Sequence, residues 1–259
     1  MTAGNKIIEV TQLNIGYGGN TVLQNINFDV YQGEILFILG DSGCGKSTLL
    51  KHLTGLYKPM SGDIKLRGKS IVNAQEQEKK ELYKSFGVTY QGGALLGSLT
   101  VAQNVAFPLK EHTNMSEEEI DRTVKEKLSL VNLSGFENYF PSELSGGMKK
   151  RAGLARALAL APDLLFFDEP SAGLDPLASS DLDKLILDLR KKINATIVVV
   201  SHELDSILST ADRIIMLNKE RKTIVAEGNA LKLRDTSSDP WVRNFLNRNF
   251  LKQQTGTIE

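Results

Sequence analysis

Ile35-Leu36-Phe37-Ile38-Leu39-Gly40-Asp41-Ser42-Gly43-Cys44-Gly45-Lys46-Ser47-Thr48 is the stretch on which the fold turns. Its first five residues form a continuous apolar run without alternation, as in a strand of a parallel sheet covered on both faces. The next eight match G-x-x-x-x-G-K-[ST], and a helix is predicted from Lys46 to about Leu56. Strand, glycine-rich loop and helix in this order form a phosphate-binding loop: the glycines let successive N–H groups turn inward toward phosphate oxygens, and the helix start adds its positive dipole end. Gly40, Ser42, Gly43, Cys44, Gly45, Lys46, Ser47 and Thr48 are therefore candidate nucleotide contacts. Lys46 is expected to reach the β/γ-phosphates, and the Ser47 hydroxyl to ligate Mg²⁺. Cys44 reads as a small loop residue. Should the nearby Lys46 lower its pKa, alkylation would inactivate the protein unless nucleotide is bound.

Moving outward, Leu164-Leu165-Phe166-Phe167 and Ile197-Val198-Val199-Val200 are further buried strands. The helix between them carries an apolar stripe of Leu182, Leu185, Ile186 and Leu189. Ligands of open α/β sheets lie outside the carboxyl ends of the strands, which assigns Gly40, Asp168, Glu169, Ser201 and His202 to one edge. A carboxylate pair at a strand end is by itself an ordinary solvated turn. Behind a phosphate loop it gains two roles: Asp168 holding Mg²⁺ through water, and Glu169 orienting and deprotonating the water that attacks the γ-phosphate.

Two segments depart from this pattern. Ile7 to Ile15 and Val22 to Val30 alternate around the turn Gly16-Tyr17-Gly18-Gly19-Asn20, which predicts an antiparallel β-subdomain. From Tyr83 to Pro141 the chain reads as a helical insertion. Its clearest helix runs over 116–131, opened by a Ser116/Glu119 capping box and lined by Ile120, Val124, Leu128 and Val131. A second helix follows Pro141, with Met148, Ala152, Ala155 and Leu158 on one face and its end near Pro162. The fold class is thus α/β: a P-loop NTPase core with a mixed or parallel sheet, an antiparallel β-subdomain and an inserted α-helical subdomain. We expect a nucleotide-binding domain over 1–236, its helical subdomain at about 92–160, and a helical tail over 237–259.

Composition narrows the partners. Lys+Arg and Asp+Glu both number 31 in 259 residues, and the formal net charge of +0 supplies no field for nucleic acid or anionic lipid. Apolar runs fall short of the roughly 20 residues that cross a bilayer, and the start MTAGNKIIEV lacks the regions of a secretory signal. A single cysteine suits a reducing compartment. A cytoplasmic chain that reaches a membrane only through a protein partner is expected.

With these motifs in place, the sequence resembles an ABC-type ATPase over nearly its whole length. Leu144-Ser145-Gly146-Gly147 is similar to the signature that separates this family from P-loop kinases and GTPases. Tyr17 sits where the family places an adenine-stacking aromatic. Gln91 resembles the Q-loop glutamine, Ser171-Ala172-Gly173-Leu174-Asp175 the D-loop, and His202 the switch histidine. The resemblance implies ATP and Mg²⁺ as cofactors and a homodimer that buries two ATP molecules head to tail. Each ATP then lies between one subunit's phosphate loop and Ser145, Gly146 and Gly147 of the other. Gln91 would touch Mg²⁺ or the attacking water, and His202 would bond the γ-phosphate. The helical insertion would grip an integral-membrane permease.

A finer resemblance lies in Tyr90-Gln91-Gly92-Gly93-Ala94-Leu95-Leu96, in 104–113, in Pro141-Ser142-Glu143, in Met148 and in 239–246. These look like the ATPases of bacterial Mla/Mce-type phospholipid transport systems. That implies a location on the cytoplasmic face of the inner membrane, a permease, an Mce-domain lipid-binding protein and phospholipid movement between inner and outer membranes. Trp241, Phe245 and Leu246 are expected to pack on the chain's own domain, with the dimer partner as the alternative. The competing functions are an ABC transporter ATPase for another cargo (amino acid, metal or lipoprotein) and a non-transport ABC ATPase clamping nucleic acid or a scaffold.

Overall fold

Alternation of apolar and polar residues from Lys6 to Tyr31 produces a long hairpin in the computed structural model, which describes residues 4–255, with side chains described to Asn247. Strands β1 (Lys6–Tyr17) and β2 (Asn20–Tyr31) pair antiparallel around the two-residue turn Gly18-Gly19. Strand β3 (Ile35–Gly40) follows and is buried at every position, as its unbroken apolar run requires. Helix α1 (Lys46–Leu53) comes next, then β4 (Ser61–Leu66) and the short β5 (Lys69–Ser70). The helix stops three residues earlier than its periodicity suggests. Thr54 turns its hydroxyl back onto the Leu50 carbonyl at 3.1 Å, and Gly55 takes a φ of 70° that ends the helical path.

The chain continues with α2 (Glu76–Lys84) and β6 (Phe86–Thr89). Helices α3 (Val101–His112), α4 (Glu117–Leu130) and α5 (Gly146–Ala157) come next. The Ser116/Glu119 capping box opens α4 as its sequence indicates, with Ile120, Val124 and Leu128 buried. Strand β7 (Leu164–Asp168), helix α6 (Pro176–Ile193) and strand β8 (Thr196–Val200) close this part of the chain. Helix α7 (Leu204–Thr210), strands β9 (Arg213–Asn218) and β10 (Thr223–Gly228), and helices α8 (Ala230–Thr236) and α9 (Pro240–Thr255) complete the described chain.

The chain divides into two compact units, residues 1–72 with 200–259 and residues 73–199. In the first, β2-β1-β4-β5 form the antiparallel β-subdomain, while β3 runs parallel to β9 and β10 returns antiparallel. In the second, β8, β7 and β6 lie side by side, β6 parallel to β7, with α3, α4 and α5 as the helical part. This is the expected α/β architecture. At the far end Val242, Phe245 and Leu246 are buried within the first unit, and Trp241 packs on Phe245 at 5.4 Å, so the tail's apolar residues cover their own domain.

Candidate functional site

In the first unit the phosphate loop is built by glycine geometry. Gly45 closes it at a φ of 103°, and a Cβ there would stand 2.8 Å from Val22 Cγ1, so both the backbone angle and the hairpin beneath exclude a side chain. Helix α1 therefore starts without a capping side chain, and a helix start of this kind suits an anion. Lys46 is buried, and its ammonium donates to the carbonyls of Gly40 (2.8 Å) and Asp41 (3.2 Å), drawn back over the loop it would serve.

Cys44 differs from the expectation raised for it. The thiol is 2% exposed, and burial pushes its pKa up more than the nearby Lys46 ammonium pulls it down. The sequence shows the cation beside the thiol. It does not show that Cys44 points into the fold, where desolvation outweighs the charge.

Tyr17, the last residue of β1, is 46% exposed. Its hydroxyl donates to Thr48 Oγ1 at 3.3 Å and its ring meets Tyr57 edge-on at 5.6 Å. Two contacts thus fix an open aromatic face beside the phosphate loop. Ser201 N–H bonds the Ile38 carbonyl at 3.4 Å, which sets exposed His202 just beyond the strand that leads into Gly40. The first unit therefore gathers Tyr17, the loop from Gly40 to Thr48, and His202.

The second unit carries the remaining candidates. Asp168 ends β7 and is 8% exposed, whereas Glu169 adopts a φ of 50°. An extended backbone would throw the two carboxylates to opposite faces; here the left-handed Glu169 turns the chain sharply directly after Asp168. That conformation costs about 1 kcal/mol or more for a residue with a side chain, a strain that collects at working sites. Beyond it, Asp175 caps α6, accepting from Leu177 N–H at 3.0 Å and Ala178 N–H at 2.9 Å.

Ser145 caps α5 by accepting from Met148 N–H at 3.2 Å, and Gly146 stands exposed at the helix start. Gln91 is exposed in the turn after β6. Sequence reasoning missed what holds that turn. Arg156, from the last turn of α5, donates to the carbonyls of Ala94 (2.8 Å) and Gly93 (3.0 Å). The backbones touch as well, since a Cβ at Gly153 would lie 2.8 Å from Gly93 O. A basic residue seven places along a helix from Lys149 gives no sequence signal of a distant carbonyl partner.

The residues that could hold Mg²⁺ are Ser47 in the first unit and Gln91 and Asp168 in the second, all oxygen donors of the kind this ion prefers. Among the described residues, no cluster of three or more His, Cys, Asp or Glu could bind a metal unaided.

Comparison with known proteins identifies the family. The family model described as ABC transporter matches residues 23–172. The probable ribonucleotide transport ATP-binding protein mkl of Mycobacterium leprae is 43% identical over 240 residues, spanning 93% of this chain and 68% of that protein. The intermembrane phospholipid transport system ATP-binding protein MlaF of Haemophilus influenzae is 41% identical, spanning 93% of this chain and 90% of that protein. A dimeric structure of MJ0796, a bacterial ABC transporter cassette, superposes with a TM-score of 0.78 at 30% identity, covering 86% of this chain and 98% of that one. A second MJ0796 structure is a post-hydrolysis state bound to ADP and Pi, with a TM-score of 0.77 at 29% identity. The phosphate loop, the serine-capped diglycine helix and the strand-end carboxylate pair all fall within the matched residues 23–172, and with relatives of this identity and coverage the chain belongs to the ABC transporter family as an ATP-binding and ATP-hydrolysing cassette.

Proposed function

We propose that the chain is the energy-coupling subunit of a phospholipid transport system of the Mla/Mce type, working as a homodimer beneath a membrane permease. The observation that carries this reading is coverage. The match to MlaF extends over 90% of that protein, whereas the match to mkl, named for ribonucleotides, extends over 68%. Among the described residues no helix is long and apolar enough to cross a membrane, so the permease is a separate chain or segment. A groove of about 360 Å³ in the second unit, lined by Tyr83, Phe86, Leu96, Phe107 and His112, offers an apolar seat for one of its helices. An Mce-domain lipid-binding protein completes the proposed complex, which sits at the cytoplasmic face of the inner membrane.

On this reading the amides of Gly43, Cys44, Gly45 and Lys46 hold the phosphates, and Ser42, Ser47 and Thr48 add hydroxyls. Tyr17 stacks on adenine. Lys46 leaves the Gly40 and Asp41 carbonyls for the β/γ-phosphates. Ser47, Gln91 and Asp168 would hold Mg²⁺, which would supply charge neutralisation for the phosphates when bound. Glu169 takes the proton of the attacking water, and His202 bonds the γ-phosphate and fixes that water. Ser145, Gly146 and Gly147 of the partner subunit close the pocket from the far side. Residues 92–160 act as the helical subdomain.

Two experiments test this. Glu169→Gln should retain ATP and lower turnover by about a hundredfold or more while trapping a dimer with nucleotide enclosed, and wild-type turnover would remove Glu169 as base. Purification of the chain with its bound partners should bring down a permease and an Mce-domain protein. A permease accompanied by a solute-binding protein would instead mark an importer of another cargo.

A further inference from the structure

The D-loop, Ser171 to Asp175, leaves β7 through the left-handed Glu169 and enters α6 at the cap residue Asp175. Both ends are therefore fixed by local structure. Within the loop, Ala172 N–H bonds the Glu169 carbonyl at 3.3 Å and Leu174 N–H bonds the Ser171 carbonyl at 3.0 Å. The Ala172 carbonyl, midway between those ends, accepts from the ammonium of Lys150 at 2.5 Å.

Lys150 belongs to α5, the helix that begins at Gly146. Gly146 and Lys150 are four residues apart and share one helix face. On the same helix start, a Cβ at Gly147 would meet Leu174 of the D-loop at 3.8 Å. The first turns of the signature helix and the D-loop are thus packed together within one unit, with a cation bridging to a backbone oxygen three residues beyond Glu169.

We infer that Lys150 is a positioning residue for hydrolysis: it ties the signature helix to the D-loop and thereby sets the path of the backbone that leaves the catalytic carboxylate. It touches neither nucleotide nor water on this reading. The inference rests on the proposed role of Glu169. A hydrogen bond from a charged donor to a half-buried carbonyl is strong enough to hold a short loop, and no apolar side chain of similar length can replace it.

The test uses the full chain, comparing Lys150→Met, Lys150→Arg and, as a charge-matched control, Lys149→Met. Lys150→Met should lower kcat about tenfold with KM for ATP changed less than about twofold, as expected for an interaction that positions without binding substrate. In the nucleotide-free protein the Gly173 and Leu174 amides should exchange hydrogen faster, while α5 keeps its protection. Lys150→Arg should restore both quantities, and Lys149→Met should leave them unchanged. Wild-type kcat in Lys150→Met overturns the inference, and so does a loss of kcat accompanied by loss of α5 protection and no rescue by arginine. Glu169→Gln separates this result from the broader reading. An inactive Glu169→Gln beside a fully active Lys150→Met overturns the tether alone. Wild-type turnover in Glu169→Gln overturns the base, and with it the route by which Lys150 would act on hydrolysis.

Discussion

Two residues show how far local conformation departs from local composition. Glu169 is drawn by its sequence as the next residue of an extended strand, yet it sits at a φ of 50°, and the strand's last carboxylate is Asp168. Adjacent acids after an apolar run are readable; the left-handed conformation of Glu169 is not, because a residue before proline is expected to be extended. Cys44 shows the opposite case, in which a visible cation misleads. Its thiol is buried and its pKa is raised by desolvation. Because the thiolate is the reactive form, a raised pKa keeps the native thiol protonated over the pH range where an ordinary cysteine has already ionised. Alkylation by N-ethylmaleimide, followed by mass, should be about a hundredfold slower in the folded chain than in the denatured one, since it waits on local opening. Its rate should keep climbing with pH after that of the denatured chain has levelled off. Equal rates in the two states would show Cys44 to be open.

At the scale of elements, strands and amphipathic helices with hydroxyl caps were legible, and helices whose patterns are interrupted were not. Helix α4 shows its cap and its stripe together. Helix α3 hides behind Pro108, a residue that ordinarily ends a helix, although Thr100 and Gln103 form a full capping box at its start. What fixes α3 is Asn104, which is fully buried. Its side chain accepts from Leu96 N–H at 2.8 Å and donates to the carbonyls of Leu96, Leu99 and Thr100 at 3.1, 3.1 and 2.9 Å. An asparagine in a helix reads as polar surface, and only the loop folding over it reveals a hub. Asn104→Leu should destabilise the chain by about 3 kcal/mol because it removes four hydrogen bonds made by one buried side chain and leaves part-buried backbone groups without partners. Thr100→Ala removes one cap and should cost only about 1 kcal/mol. Urea denaturation of both variants checks the order, and an Asn104→Leu variant as stable as Thr100→Ala would show that the loop finds other partners.

For the whole molecule, neither the sequence nor a single chain contains a complete pocket under the proposed mechanism, because Ser145, Gly146 and Gly147 serve a partner subunit's triphosphate. Gly146 gives the cleanest way to separate the two tasks of this surface. A Cβ at that position meets nothing within 4 Å, so a side chain fits the isolated subunit without strain. Glutamate is moreover favourable in the first turn of a helix, by about 0.5 kcal/mol, through the helix dipole. Gly146→Glu should therefore fold with unchanged or slightly raised stability and bind ATP in its own phosphate loop as tightly as before. Across the dimer the same carboxylate would face the partner's γ-phosphate, where two like charges in a closing, water-poor interface repel strongly. In the Glu169→Gln background, size-exclusion chromatography with ATP should then show dimer for the single variant and monomer for the double variant, with equal nucleotide content per chain on equilibrium binding. A double variant that still dimerises would mean that the diglycine helix start does not face the partner's nucleotide, and the reciprocal pocket would have to be abandoned. Loss of dimer together with loss of ATP from the monomer would point instead to a pocket formed within one chain.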